Sequence, residues 1–334
     1  MKERIKYLDV AKFIGIFCIF LGHFASASGY AYKFVFIFHV PLFFFLSGCA
    51  ENISTDIPFW KYIKKNIKMI LIPCYIFAIT SVVLNCIYTN THINIGPYLI
   101  QIIKGCIRNH FFAGSLWFLT CLFVVKIMFY IFKKILKYKP LILIACFTLY
   151  LIAQLVIEPK PIATPHMLYN VDSACYYIVF YALGYCCFKT VNSILSLDNI
   201  VKKMICNVIG IGSFIYSATL FFEKHIFSLG SNSTIVYLVN SIFSPFVIIL
   251  FVLIISKILD DVPFLVEMGK DTLFLCGSEY IIKLLVPICL EIIGLNMLLT
   301  NPIATYLYTF ALLILCYKIL VPIEKKVFKK LHLL

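Results

Sequence analysis

Ten runs of roughly 20 apolar residues, each ended by a short polar stretch, dominate the chain. A helix rises about 1.5 Å per residue, so about 20 such residues cover the ~30 Å hydrocarbon layer of a bilayer. The runs fall at 9–27, 34–50, 67–88, 116–136, 140–158, 173–190, 204–222, 235–257, 272–293 and 303–321. The second and sixth are shorter and polar at their edges, which suits tilted or partly re-entrant helices. The pattern predicts an all-α polytopic bundle with about ten transmembrane helices, multi-pass in the cell membrane. Composition agrees: 62% of the 334 residues are hydrophobic and 13% charged, against about 25% charged in a soluble domain. Too little polar surface remains to cover a water-soluble globule. The same figures exclude a disordered chain and a secreted disulfide scaffold.

Basic residues test the count of spans. With the N-terminus in the cytoplasm, 20 Lys and Arg fall inside, in clusters such as Lys61–Lys68, Lys133–Lys139 and Lys325–Lys330. Only Lys33, Lys104, Arg108, Lys160 and Lys224 fall outside. This alternation predicts both termini inside, the loops at 51–66 and 133–139 cytoplasmic, and the loop at 89–115 external. In that outer loop the stretch YLIQIIKGCI, after Gly96-Pro97, reads as an interfacial helix. Lys2, Arg4 and Lys6 run straight into the first span, with no signal-peptide cleavage site. The net charge of +14 is spread between apolar runs, so it implies membrane orientation and no nucleic-acid partner.

The 14 cysteines are scattered singly through apolar stretches, without a CxxC pair. They imply neither a metal site nor a disulfide framework. Cys186 and Cys187 read as small buried hydrophobes, and Cys106 alone falls clearly in a loop. No repeat or linker divides the chain, so residues 1–334 read as a single integral-membrane domain.

Ionisable groups inside a span are costly, and each is a functional hypothesis. In LDVAKFIGIFCIFLGH, residues 8–23, Lys12 and His23 are 11 residues apart, about 20° past three full turns and so on one helix face. Asp9 stands one turn before Lys12, in position to pair with it. Gly15 and Gly22 flank this stripe and permit close approach of a ligand or of another helix. Each residue also has a plain alternative: Lys12 snorkels to the interface, and His23 makes an interhelical hydrogen bond.

In FVFIFHVPLFFFLSG, residues 34–48, His39 stands at a depth matching His23, and Pro41 frees a nearby carbonyl. The two imidazoles face one cavity, or His39 braces a proline kink. Trp117, in GSLWFL at the outer edge of the fourth span, reads on composition as an interfacial belt aromatic. Glu279 and Lys283 are spaced i, i+4 in the ninth span, either as a structural ion pair or with Glu279 facing a donor channel. Asp172 and His166 read as solvated loop residues.

Taken together, LDVAKFIGIFCIFLGH, HVPLFFFLSG, LWFL and FYALGY at 180–185 resemble the integral-membrane acyltransferase 3 family, which includes sugar O-acetylases and exopolysaccharide acyltransferases. The specific part is a basic residue, ten intervening positions and His, here Lys12 and His23. The basic position is often Arg in that family, and Lys lacks its bidentate fork. The ninth span resembles the family's G-x-x-[ST]-L run, which commonly ends in His; Glu279 stands there instead, so no His role carries over.

The resemblance implies a ten-span O-acyltransferase moving an acyl group, usually acetyl, from cytoplasmic acyl-coenzyme A to a glycan hydroxyl. His23, Lys12 and Asp9 are then the expected catalytic residues. His39, Ser47, Trp117 and Glu279 are expected to bind substrate. Acetyl-CoA, or another acyl-CoA, is the donor substrate. No bound cofactor or metal is expected, and the partners are a carbohydrate acceptor and membrane lipid. The alternative function is a transporter or flippase for glycan or lipid intermediates.

Overall fold

The computed structural model describes residues 4–53, 56–89, 95–157, 162–223, 234–294 and 299–333. Lys2, Lys160 and Lys224 of the charge pattern, residue 158 of the fifth expected span, and residues 54–55 and 90–94 of two expected loops lie outside the described residues. Among the described residues every regular element is a helix: α1 Lys6–Gly22, α2 Tyr30–Ile53, α3 Phe59–Thr89, α4 Gly96–Ile103, α5 Trp117–Leu136, α6 Lys139–Ile157, α7 Val171–Leu195, α8 Ile200–Phe221, α9 Thr234–Ile258, α10 Pro263–Lys270, α11 Thr272–Gly277, α12 Glu279–Ile292 and α13 Pro302–Lys330.

A helix stands at each of the ten apolar runs, but seven of them are long and apolar enough to cross a membrane: α2, α3, α6, α7 with the turn before it, α8, α9 and α13. The other three depart from the expectation for separate reasons. The first, α1, has 17 residues, about 26 Å of rise. Helix α5 carries Lys126, Lys133 and Lys134 within its 20 residues. The ninth run is interrupted at Ser278, which separates α11 from α12. The outer faces remain apolar: Val208, Ile211 and Phe214 of α8 and Ile144 and Leu155 of α6 are exposed. Such a surface needs lipid around it. The YLIQIIKGCI stretch does form a short helix, α4, with Leu99, Ile100 and Ile103 exposed.

The chain folds into two compact units, each assembled from separated segments. One comprises Met1–Ile53, Leu183–Thr272 and Leu299–Phe310. Its core includes Tyr7, Leu21, Phe38, Leu42, Phe45, Phe188, Ile248 and Val252. Close backbone approach explains two of its glycines. A Cβ at Gly269 of α10 would sit 1.9 Å from the Asp9 carbonyl oxygen, and one at Gly184 of α7 would sit 2.0 Å from that of Phe45. Only glycine fits such gaps. Gly15 and Gly22 face Phe43 and Val35–Phe36 of α2, so it is a neighbouring helix that these glycines admit. The Asn52 amide donates to the Tyr185 carbonyl (2.7 Å) and the Tyr7 hydroxyl to Asn192 (3.1 Å), pinning the end of α7.

The second unit comprises Ser54–Ala182, Leu273–Leu298 and Ala311–Leu334. Phe328 stacks on Phe77 at 5.6 Å and meets Phe274 edge-on at 5.2 Å. At one end of α5, Lys133 and Lys134 reach Asp56 at 2.7 and 3.1 Å. Those hydrogen bonds hold the Asp56 carboxyl below its ordinary range. At the other end, the loops before α5 and before α7 are tied together, with the Tyr169 N–H donating to the Lys104 carbonyl at 2.8 Å. All 14 cysteines are free thiols, most of them buried. Cys186 and Cys187 are half-buried rather than enclosed.

Candidate functional site

Asp9 is 2% exposed and sits between two cations at the start of α1. Arg4 forks onto its carboxylate at 2.6 and 3.1 Å, and Lys12 donates from one turn later at 3.0 Å. A buried carboxylate is tolerated when paired in this way. The hydrogen bond to Asp9 pushes the Arg4 pKa up, keeping the guanidinium charged. The cations themselves stay accessible, with side chains 56% exposed for Arg4 and 32% for Lys12. The result is a pair of accessible cations on a buried anionic anchor, with Glu267 and Asp271 also acting on Arg4. The expected Asp9–Lys12 pair is present, and Arg4 joins it from outside the helix.

At the far end of α1, ~16 Å along the axis from Lys12, His23 caps the helix and is exposed. The last turn of α1 packs through Gly22 on Val35 and Phe36 of α2. Val35 also supplies the carbonyl, 2.6 Å away, that holds the ring nitrogen Nδ1 of buried His39. An Nδ1–H donated to a carbonyl makes Nε2 the acceptor of the neutral ring. The ring of Phe36 stands edge-on to His39 at 5.1 Å. The two imidazoles therefore belong to one end of the α1–α2 pair, one exposed and one enclosed. Helix α2 continues through Pro41 to Ile53, and Ser47 is half-buried on it.

Trp117 and Glu279 belong to the other unit. Trp117 opens α5 and is only 6% exposed, which corrects the expectation of an interfacial belt aromatic. It is buried because the Arg108 guanidinium covers its ring, 4.8 Å from the centroid, and Tyr177 approaches at 5.9 Å. Asp172 corrects the expectation of a solvated residue. It is wholly buried and accepts from the backbone N–H groups of His166, Met167 and Ser173 at 2.8, 3.0 and 2.8 Å. Glu279 and Lys283 make the expected i, i+4 ion pair at 2.6 Å, with side chains 3% and 15% exposed. The neighbouring Ser278 hydroxyl donates to Glu324 of α13.

Sequence spacing missed Arg4, because the segment before α1 is not helical and heptad arithmetic does not apply there. It missed Arg108 because a loop arginine carries no periodicity.

With seven helices among its described residues long and apolar enough to span a bilayer, the chain is built as a membrane protein. The family model for an acyltransferase domain, that of the acyltransferase 3 family, matches residues 5–321. The chain belongs to that family, and the protein is a membrane acyltransferase. No curated protein and no solved structure matches it.

Proposed function

We propose that this acyltransferase moves an acyl group, acetyl in the simplest case, from cytoplasmic acyl-coenzyme A to a hydroxyl of an extracytoplasmic or membrane-associated glycan. The observation that carries this reading is the Arg4–Asp9–Lys12 cluster, with two accessible cations at one end of α1, and His23 at the other. The donor is polyanionic, and its phosphates match exposed Arg4 and Lys12. The alternation of basic loops supports ten crossings of the cell membrane with this end of α1 inside.

A hydroxyl becomes a competent nucleophile when a base takes its proton, and a neutral imidazole suits that task near pH 7. His23 accepts the acceptor's O–H proton as the oxygen attacks the thioester carbonyl. The C–S bond breaks, the ester forms, and the thiolate leaves with the proton as free coenzyme A thiol. His39, fixed through Nδ1, orients the acceptor or the first imidazole. Ser47 lines the same helix as a further hydroxyl.

Purified full-length protein supplied with acetyl-coenzyme A should release thiol, and cells carrying it should gain ester-linked acetyl on envelope glycans. Absence of both would overturn the proposal. Thiol release with an unchanged glycan would reject the acceptor class alone.

A further inference from the structure

The Arg108 guanidinium is half-buried, and its Nη1 is enclosed without a hydrogen-bond partner. Among the described residues no carboxylate forms an ion pair with it. Asp172 stands two residues beyond Asn170, which accepts from the Arg108 backbone N–H, and its oxygens are occupied by three backbone N–H groups. A guanidinium in an apolar setting without an anion is costly unless a ligand completes it.

The surroundings hold Arg108 in place. Its backbone N–H donates to Asn170 Oδ1 at 2.9 Å, and Asn170 Nδ2 donates to the Gly105 carbonyl and the Thr120 hydroxyl at 3.2 and 3.0 Å. The two loops that meet here put Cys106, Asn109, Tyr169 and Asn170 in the left-handed region, at φ of 48°, 65°, 55° and 56°. Such conformations persist where surrounding structure enforces them, and they concentrate at binding sites. Trp117 supplies an aromatic face for the charge, and the Tyr177 ring packs against Trp117.

We propose that Arg108, braced on Trp117, binds the carboxylate of an acidic sugar, so that the acceptor is a uronate-type glycan. A planar monoanion matches the guanidinium fork. The identity of this ligand as the acceptor rests on the acyl-transfer reading, whereas the binding itself does not.

The chain has two tryptophans, and Trp60 is 72% exposed. Trp60→Phe therefore leaves Trp117 as the single reporter in the full-length protein. Titration with glucuronate should shift its emission saturably, while glucose should not. Arg108→Lys should weaken glucuronate binding by about 10- to 100-fold, and Arg108→Gln should abolish it. An equal response to glucose, saturation by inorganic phosphate but not glucuronate, or an unchanged response in either arginine variant would overturn the site. If Arg108→Gln does not fold, Arg108→Lys and the contrast among the three ligands decide. Should glucuronate bind while acetyl-coenzyme A is never consumed, this site stands and the acyl-transfer reading falls.

Discussion

Helix α1 and helix α12 each carry a buried carboxylate on a lysine one turn away, yet the two arrangements have different uses. At α12 both partners are enclosed, Glu279 at 3% and Lys283 at 15% exposure. At α1 only the carboxylate is enclosed, and the two cations that serve it reach solvent. A sealed pair within one helix offers no charge to a ligand, and what it resists is the removal of one partner alone. An anchored but open pair can turn its cations toward an arriving anion without losing its fold. The comparison separates an enclosed ion pair from one whose cations remain accessible.

The largest expected effect comes from breaking the sealed pair on one side. Lys283→Met takes the lysine from a buried carboxylate, Glu279, which should cost about 3–5 kcal/mol. The double variant Glu279→Gln with Lys283→Met removes both charges at similar volume and should return stability close to native. Thermal unfolding of the purified protein measures both. A double variant that folds normally yet no longer consumes acyl-coenzyme A would move Glu279 from structure to chemistry.

Asp9→Asn tests the open cluster the same way. Arg4 and Lys12 lose a charged acceptor but gain water, so the loss should be about 1–3 kcal/mol, smaller than for Lys283→Met. A greater loss at Asp9 would erase the distinction between the two regions. Lys12→Ala should act chiefly on the donor, raising its KM about tenfold with kcat nearly unchanged. A fall in kcat alone would place Lys12 at the reacting atoms.

The smallest effect is expected at Asp56, whose partners Lys133 and Lys134 sit at the water-facing end of α5. Asp56→Asn should cost less than about 1 kcal/mol near neutral pH. The carboxyl's pKa is lowered from 3.8. Its contribution is therefore complete above that value and fades as pH falls through the depressed one. Native and variant should converge in acid unfolding; a difference that grows on acidification would contradict the pairing.

The helix positions were legible because long apolar runs leave few alternatives in a bilayer. Both lysine–carboxylate pairs were legible from i, i+3 and i, i+4 spacing. The break at Ser278 was not: Gly277, Ser278 and Glu279 interrupt the apolar run there, but the i, i+4 spacing of Glu279 and Lys283 equally suits one continuous helix. Arg4 and Arg108 escaped because their partners are reached from irregular backbone, where periodicity says nothing. Trp117 misled for a related reason: an aromatic at a helix start has the composition of a membrane belt, and only the loop folding over it reveals burial. The Gly269 and Gly184 contacts join segments more than 100 residues apart, beyond any local pattern.

The central claim is that His23, at the exposed end of α1, removes the acceptor proton. Turnover of acetyl-coenzyme A by purified His23→Ala, compared with native protein and with His39→Ala, tests it directly. His23→Ala should lower kcat by about 10²–10⁴-fold with its elution profile unchanged, and His39→Ala should lose less. Normal turnover by correctly folded His23→Ala would contradict the account.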